Sequence, residues 1–355
     1  MLRSSLEYLR CPGCGAESLW LEGRGPASED IQKGSIRCKD CEAAYPILAG
    51  VAIVVADPGA YVIDHVKGIS QLVADEDIPL EWRDEYVAAR EELEGEHIEE
   101  DLEAERVNAL YLMTHYLEAS DLKDVSSPFI AKLIQDYWDE GPFAQIEKWV
   151  EKIGPGRSLI ELGCGVGGLG ARLAPRLGSY FGIDSSFASV ALGRHLLLGA
   201  PYPREIRIPG DLLQGTVSKK VEIPAGQARG LQADLVVGDV SQFPLRYGLW
   251  DLTVALNTID MLDEPADLPE LQRELLKPSG VAIQSCPYVW HEKTARLLRE
   301  RLPEAQNSSE AAERLYERAG FGVEERVEHL PWLFFKHLRQ LEIYSVHAFL
   351  ARRNK

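Results

Sequence analysis

The chain has no uninterrupted apolar run that approaches the ~20 residues a membrane-spanning helix requires. Its first residues, Met1 to Glu7, also lack the apolar core of a signal peptide. The sequence therefore predicts neither a membrane partner nor export. A cytoplasmic protein is the simplest expectation.

Positive charge is also scarce. The 38 Lys and Arg residues stand against 56 Asp and Glu residues, which gives a formal net charge of -18. Such a balance repels phosphate backbones, so nucleic acid is not an expected partner. The basic residues near the C-terminus, such as Arg299 and Arg352, are interleaved with acids or lie at the chain end, and we interpret them as solvated surface.

The length of 355 residues is too great for one small core and suits two or three compact units. Composition changes along the chain predict three regions. They are a small cysteine-bearing unit at 1–57, a helical linker or lid at 58–153 and a larger α/β domain at 154–355.

Cysteines are few, but four of the six are clustered. They form two C-x2-C pairs separated by 23 residues, namely Cys11, Cys14, Cys38 and Cys41. Four thiolates at this spacing suit a closed tetrahedral zinc site, which can hold together a segment too small to fold on its own core. Two disulfides are the alternative interpretation. Cys164 and Cys286 lie at strand ends, where small buried packing residues are the default.

The two cysteine pairs are followed by Tyr45-Pro46-Ile47, by Gly50 and by an apolar run that ends at Val55. This combination resembles the small zinc-ribbon subunit that activates several tRNA, rRNA and release-factor methyltransferases. The resemblance implies a structural zinc ribbon over 1–57. The free-standing members of that family act by binding a methyltransferase, so a protein partner for the ribbon is an open expectation.

A buried strand from Ser158 to Leu162 leads into a glycine turn. Gly163, Gly165 and Gly167 let the backbone approach a ligand that any Cβ would push away. Asp184 ends the next apolar run, 21 residues after Gly163, where a carboxylate can accept hydrogen bonds from both ribose hydroxyls. The pattern predicts an adenosine-containing cofactor. Gly168 also completes G-x-G-x-x-G, so a nicotinamide dinucleotide remains an alternative.

Glu161 extends the turn to E-x-G-x-G-x-G. This resembles the first motif of class I S-adenosylmethionine-dependent methyltransferases, and further apolar runs ending near Asp239, Asn257 and Cys286 follow in that family's order. The resemblance implies a Rossmann-like, mostly parallel α/β sheet with an antiparallel last strand, and S-adenosylmethionine as cofactor. The implied cofactor-binding residues are Glu161, Gly163, Cys164, Gly165, Gly167, Asp184, Ser185, Asp239, Val240 and Asn257.

The helical region carries two features of interest. The stretch from Glu81 to Arg106 is strongly acidic and predicts a solvated helix face or a mobile connector, with a docking site for a basic partner as the alternative. Farther on, Tyr111 and His115 recur at helical spacing. Helices before the first strand cover the cofactor in many methyltransferases, so these side chains either line the pocket or pack in a plain core.

Ligands of an open α/β sheet bind beyond the carboxyl ends of its strands. The loop after the fourth strand, Asn257 to Leu262, lacks the Asn/Asp-Pro-Pro-aromatic motif that holds an amide or a base amine. A small-molecule acceptor is expected instead. Asp260, Tyr288 and His291 are the candidates to orient or deprotonate it. Their alternative roles are a helix cap, packing under the loop and an exposed helix start, respectively.

Short pieces between about residues 155 and 350, including Ser285 to Glu292 and Tyr344 to His347, are similar to the methyltransferase domain of ovothiol biosynthesis. That similarity implies a nitrogen or sulfur acceptor. Two other functions stay open: a docking protein that binds cofactor without turnover, and an RNA methyltransferase.

Overall fold

The computed structural model describes residues 1–22, 30–95, 111–116, 128–204, 206–208, 219–220, 223–337 and 340–354. The strands are β1 (Leu19–Glu22), β2 (Gly34–Cys38), β3 (Ala44–Leu48), β4 (Val51–Ala52), β5 (Arg157–Leu162), β6 (Leu177–Asp184), β7 (Arg207–Ile208), β8 (Lys219–Lys220), β9 (Gln232–Val237), β10 (Trp250–Leu256), β11 (Leu276–Cys286), β12 (Phe321–His337) and β13 (Gln340–Arg353).

The α-helices are α1 (Pro58–Asp64), α2 (Val66–Ile69), α3 (Leu80–Gly95), α4 (111–116), α5 (Pro128–Glu140), α6 (Pro142–Ile153), α7 (Gly168–Leu173), α8 (Phe187–Leu198), α9 (Asp267–Leu275), α10 (Glu292–Arg301) and α11 (Ser308–Arg318). Short 3-10 turns cover Arg3–Tyr8, Asp75–Asp77, Ala174–Arg176 and Ile259–Met261. Within the described residues, no helix has the length and apolar character needed to cross a bilayer. The predicted acidic stretch lies partly in α3, and residues 96–106 fall outside the described residues.

Seven strands form the central sheet in the order β12-β13-β11-β10-β5-β6-β9. The five strands from β11 to β9 pair in parallel, whereas β13 is antiparallel to both β11 and β12. The sheet therefore has the Rossmann-like methyltransferase arrangement, which confirms the predicted fold class and the predicted antiparallel pairing of the last two strands. Leu159, Ile160 and Leu162 have no exposed surface, because a central parallel strand is covered on both faces.

Helices cover both faces of the sheet, but within the described residues one face has no helix at its β9 edge. α7 and α8 pack on one face, and α9 and α11 pack on the other. The connection from β9 to β10, residues 238–249, is described throughout and contains no helix. The sheet therefore needs another cover over its β9 edge on the α9 side.

The N-terminal unit supplies that cover. Its four strands form an antiparallel sheet in the order β1-β2-β3-β4. Ile53 then pairs in parallel with Val237, and the Val54 amide donates to the Val237 carbonyl at 2.9 Å, so the unit continues the central sheet beyond β9. The Tyr8 ring lies 5.0 Å from the ring of Trp250, and apolar residues of both units share one core. The boundaries at 57/58 and 153/154 remain predictions; Pro58 begins α1 and Gly154 follows α6.

A buried ion pair links the N-terminal unit to the α/β domain. Arg194 of α8 is 1% exposed, and its Nε donates to Asp234 Oδ1 of β9 at 2.9 Å. The same guanidinium reaches into the N-terminal unit, where it donates to the Gly50 carbonyl at 2.7 Å and to Asp30 Oδ1 at 2.8 Å. The Arg194 guanidinium thereby joins helix α8, strand β9 and the N-terminal unit.

The second oxygen of Asp234 completes the arrangement. Oδ2 accepts from the Leu2 amide at 2.7 Å and from Ser5 Oγ at 2.5 Å. A buried carboxylate is tolerated only when its lone pairs are satisfied, and here the N-terminal unit satisfies half of them.

Removing the cation should therefore destabilise the whole protein. Arg194→Met keeps the apolar stem but leaves Asp234 buried without its charge partner, and we expect a loss of about 3–5 kcal/mol in the free energy of unfolding. Urea denaturation followed by tryptophan fluorescence measures this loss. Arg296→Met, which removes an exposed pair with Glu300, is the control and should change little. Equal stabilities for the two variants would contradict this role of Arg194.

Candidate functional site

The glycine turn between β5 and α7 has the left-handed backbone that glycine favours. The φ angles of Gly163, Gly165 and Gly167 are 76°, 51° and 75°. A Cβ at Gly163 would lie 2.7 Å from Thr258 Oγ1, and one at Gly167 would lie 2.9 Å from Leu197 Cδ1. Any side chain at these two positions would therefore both strain the turn and displace a packed neighbour.

Asp184, at the carboxyl end of β6, is tied to this turn. Its Oδ2 accepts from the Gly165 amide at 2.8 Å, and its Oδ1 accepts from the Ser186 amide at 2.8 Å. Burial raises the pKa of the Asp184 carboxyl, while these two amide bonds oppose the increase. Each oxygen keeps a lone pair, so the carboxylate can still accept two hydroxyl groups.

Glu161 lies beneath the same turn and is 1% exposed. It accepts a hydrogen bond from the Tyr180 hydroxyl. Burial raises the pKa of Glu161 to about 8, and the nearby Asp184 adds to the increase, whereas the Tyr180 bond opposes it. Cys164 is fully buried next to Glu161, and its amide donates to the Ile183 carbonyl at 3.0 Å.

The loop after β9 is hydrogen-bonded to the end of β6, because the Gly238 amide donates to the Asp184 carbonyl at 3.1 Å. Asp239 follows and is half-buried; its Oδ1 accepts from the amide and the hydroxyl of Ser241, both at 2.7 Å. Val240 is half-buried against the core on the ribbon side. Asp184 and Asp239 thus lie at adjoining strand ends.

Asn257 follows β10 and has a left-handed φ of 52°. Its amide donates to the Ser285 carbonyl at 2.7 Å, and its buried Oδ1 has no hydrogen-bond partner among the described residues. A strained non-glycine residue with an unpaired polar atom is a frequent mark of a functional site.

The loops after β10 and β11 are joined at Asp260, which is 5% exposed and accepts at Oδ2 from the Val289 amide at 2.8 Å. Tyr288 has a φ of 58°, and its hydroxyl lies 2.8 Å from Nδ1 of His347 on β13. The structure thus brings the loops of Asp260 and Tyr288 together. His291 is exposed at the residue before α10.

Sequence reasoning did not assign a role to His347 or Glu313. His347 is 2% exposed, and its Nε2 lies 3.3 Å from Glu313 Oε1 and 3.9 Å from Glu328 Oε1. Burial lowers the pKa of His347. β13 is buried without a break from Val346 to Ala351, and its side chains alternate between the two faces of the sheet, which places His347 on the face of Phe349.

Residues before β5 cover the turn from above. Tyr61 of α1 donates to the Ser185 carbonyl at 2.6 Å and accepts from the Phe187 amide at 3.1 Å, so it binds the backbone on both sides of Ser186, beside exposed Ser185. Tyr111 and His115 of α4 face Gly165. Tyr61 was not predicted as a site residue, although Asp57-Pro58 marks the start of its helix.

The four clustered cysteines form a separate candidate metal centre. Their Sγ atoms all lie within 4.8 Å of one another, and no disulfide joins them. The Sγ atoms of Cys11 and Cys41 are 3.5 Å apart and those of Cys14 and Cys38 are 3.6 Å apart, which exceeds the ~2.05 Å of a disulfide. This set of soft thiol donors fits a tetrahedral Zn²⁺ site. The disulfide interpretation is not supported.

No protein-family model matches the chain, and no curated protein matches it. Among solved structures, it is similar to magnesium protoporphyrin IX methyltransferase from Synechocystis PCC 6803 with bound SAM. The two are 15% identical with a TM-score of 0.41, over 70% of this chain and 97% of that one. A putative sarcosine dimethylglycine methyltransferase from Galdieria sulphuraria is 12% identical with a TM-score of 0.42, over 70% and 98%.

A third similar structure is a complex between the Haloferax volcanii Trm112 methyltransferase activator and a putative methyltransferase. The identity is 15% and the TM-score 0.38, over 65% of this chain and 100% of the matched chain. The fold class of the present chain follows from its own strand order and pairing.

Loss of one thiol should release the metal. Cys38→Ser removes a buried ligand, and we expect purified protein to lose stoichiometric zinc and to become sensitive to proteolysis within the first fifty or so residues. Elemental analysis and limited proteolysis measure the two effects. Cys286→Ala, which removes a thiol outside the cluster, is the control and should keep its zinc. Retention of one zinc per chain by Cys38→Ser would exclude the four-cysteine site.

Proposed function

We propose that the chain is an S-adenosylmethionine-dependent methyltransferase that transfers a methyl group to a nitrogen or sulfur of a small molecule. One observation carries the proposal. The Gly165 amide is bound to Asp184 across adjacent strand ends, in a sheet whose last strand is inserted antiparallel between β11 and β12. A dinucleotide-binding sheet of order 3-2-1-4-5-6 has no such strand, which favours the methyl donor over NAD.

The chain's residues have distinct tasks in this proposal. Asp184 accepts the two ribose hydroxyls, and Asp239 accepts from the adenine amine. Glu161 and the backbone of Gly163 to Gly167 hold the methionyl end. When bound, the cofactor supplies an electrophilic methyl group on a sulfonium. The protein's remaining work is to align an acceptor with that group and to remove a proton from it where one is present.

Acceptor contacts fall to the loops after β10 and β11. Asn257 and Asp260 lie on the first, and Tyr288 and His291 lie on the second. The Tyr288 hydroxyl is hydrogen-bonded to Nδ1 of His347 at 2.8 Å. The Tyr288 oxygen can therefore take a proton from the acceptor while its own proton passes to His347 Nδ1. Tyr288 is therefore the better placed of the proton-transfer candidates, and exposed His291 is the less constrained one.

A ring-lined path supports a small acceptor. Tyr111 contacts Phe334 edge to face at 6.0 Å between ring centroids, and Phe334 contacts Tyr344 in the same way at 5.8 Å. Tyr111 begins this row next to Gly165. At its far end, burial raises the pKa of Tyr344, and the carboxylates of Glu342 and Asp260 add to the increase. These half-buried rings suit a compact apolar or cationic molecule better than a polyanion.

The ribbon acts within the chain in this proposal. The activator in the Haloferax volcanii complex is a separate protein, whereas the ribbon here already occupies the β9 edge through Ile53 and Val54. A further protein partner would need another surface of the ribbon or the acidic face of α3.

Cofactor binding is the first test. Wild-type protein should bind S-adenosylmethionine and not NAD in isothermal titration. Asp184→Ala should weaken binding by about 1–3 kcal/mol because the ribose loses hydrogen bonds to a carboxylate. Asp251→Asn removes an acid at the amino end of β10 and is the matched control, with unchanged affinity expected. Binding of NAD alone, or of neither molecule, would refute the proposal.

Methyl transfer is the second test. Incubation with methyl-labelled cofactor and panels of thiols, imidazoles and amines should give a labelled product. With that acceptor, Tyr288→Phe should lower turnover by roughly 10²-fold, the size expected for a proton-transfer group, and leave cofactor affinity unchanged. Asp260→Asn and His291→Ala compare the other two candidates in the same assay. Unchanged turnover in all three variants would remove these loops from the acceptor site.

A further inference from the structure

Helix α4 is held over the glycine turn by contacts that do not involve the His115 ring. The Tyr116 hydroxyl donates to the Val166 carbonyl at 2.8 Å, and Thr114 Oγ1 donates to the Leu333 carbonyl at 3.1 Å. The Tyr137 hydroxyl also donates to the Thr114 carbonyl at 2.7 Å. The position of α4 is therefore fixed independently of any hydrogen bond to His115.

His115 lies between these anchors and is 8% exposed. Phe143 and Trp332 contact its ring edge to face, at 5.3 and 6.2 Å between centroids. Gly168 makes room for it, because a Cβ there would lie 2.9 Å from His115 Nδ1. His115 Cε1 lies 3.5 Å from where a Cβ on Gly165 would be.

The surroundings determine the protonation of the ring. Burial lowers the pKa of His115 to about 3, so the imidazole is neutral at neutral pH. Nδ1 is enclosed and has no hydrogen-bond partner among the described residues. The single ring proton is therefore assigned to Nε2, which shares the Cε1 edge that faces Gly165.

A phenylalanine would fill this aromatic cage without burying an unpaired polar ring. The imidazole lowers stability unless its free N–H finds an acceptor. The Cε1 edge beside Gly165 is the side on which a bound ligand can supply that acceptor. The Gly165 amide is bound to Asp184, the carboxylate assigned to the ribose. In the proposed function, the part of the cofactor that extends from the ribose along the glycine turn is the methionyl group.

We propose that His115 Nε2–H donates a hydrogen bond to the methionyl carboxylate of the cofactor. This inference rests on the proposed function. The carboxylate is the one anionic group of the cofactor, and a neutral donor in a dry aromatic cage can bind it without burying a second cation. His115 is then a determinant of cofactor binding and separates ligands that carry the amino-acid portion from those that lack it.

Two ligands make the test selective. S-adenosylhomocysteine has the amino-acid carboxylate, and 5′-methylthioadenosine has the adenosine without it. In isothermal titration, His115→Phe should weaken S-adenosylhomocysteine binding by about tenfold or more, the range for a hydrogen bond to a charged group, and leave 5′-methylthioadenosine binding within about twofold. Retained binding of the second ligand shows that the site is folded.

Two further variants sharpen the result. His115→Gln places an amide near the Nε2 position and should recover part of the lost affinity, whereas His115→Asn places it near Nδ1 and should not. Asp184→Ala should weaken both ligands alike. Equal weakening of both ligands by His115→Phe, or weakening of neither, would overturn the assignment of His115. Failure of wild-type protein to bind either ligand would instead refute the proposed function, and this inference with it.

Discussion

The buried Arg194–Asp234 pair is the constraint on which the arrangement of the two units depends. Both side chains are 1% exposed, so neither charge can be hydrated, and each needs partners from the protein. Those partners come from three places: α8, β9 and the N-terminal unit. The sheet edge and the N-terminal unit are thus parts of one polar network. The N-terminal unit also takes the place of the helix that the connection from β9 to β10 lacks, and it covers both the edge strand β9 and an apolar face of the sheet.

This attachment brings the chain of the N-terminal unit close to the glycine turn after β5. Val54 is hydrogen-bonded to β9, Asp57 caps α1 at Ala60, and Tyr61 in the next turn grips the backbone on both sides of Ser186. Tyr61 follows Val54 by only seven positions. The N-terminal unit is therefore part of the scaffold that holds the loop after Asp184.

The sequence predicted what depends on local pattern. Runs of apolar residues predicted the positions of strands β5, β6, β9 and β10. The glycine turn and Asp184 predicted where the carboxyl ends of the strands lie. The spacing of the four cysteines predicted a cluster that the structure indeed brings together. The antiparallel pairing of the final strands followed from the resemblance to class I methyltransferases and not from a local pattern.

What the sequence did not provide depends on contacts between distant residues. Tyr61 reaches Ser185 across 124 positions, and Tyr288 reaches His347 across 59. His115 shows helical spacing in the sequence, yet its cage comes from Phe143 and Trp332 on other elements. The strained backbone of Asn257 and Tyr288 also has no sequence signal, since neither is a glycine.

In the proposed function, the charges of the site favour one cofactor class. Glu161 and Asp184 lie close enough for one carboxylate to raise the pKa of the other, and His115 beside them is neutral. A dinucleotide would bring a pyrophosphate, with two further negative charges, next to this pair of acids. S-adenosylmethionine brings an ammonium, a sulfonium and one carboxylate, which is a net positive charge. In a chain with a formal charge of -18, the long-range field works in the same direction. In the proposed function a cationic ligand would favour the ionised form of these acids, which burial opposes, and the neutral imidazole above the turn would bind that ligand's single anionic group.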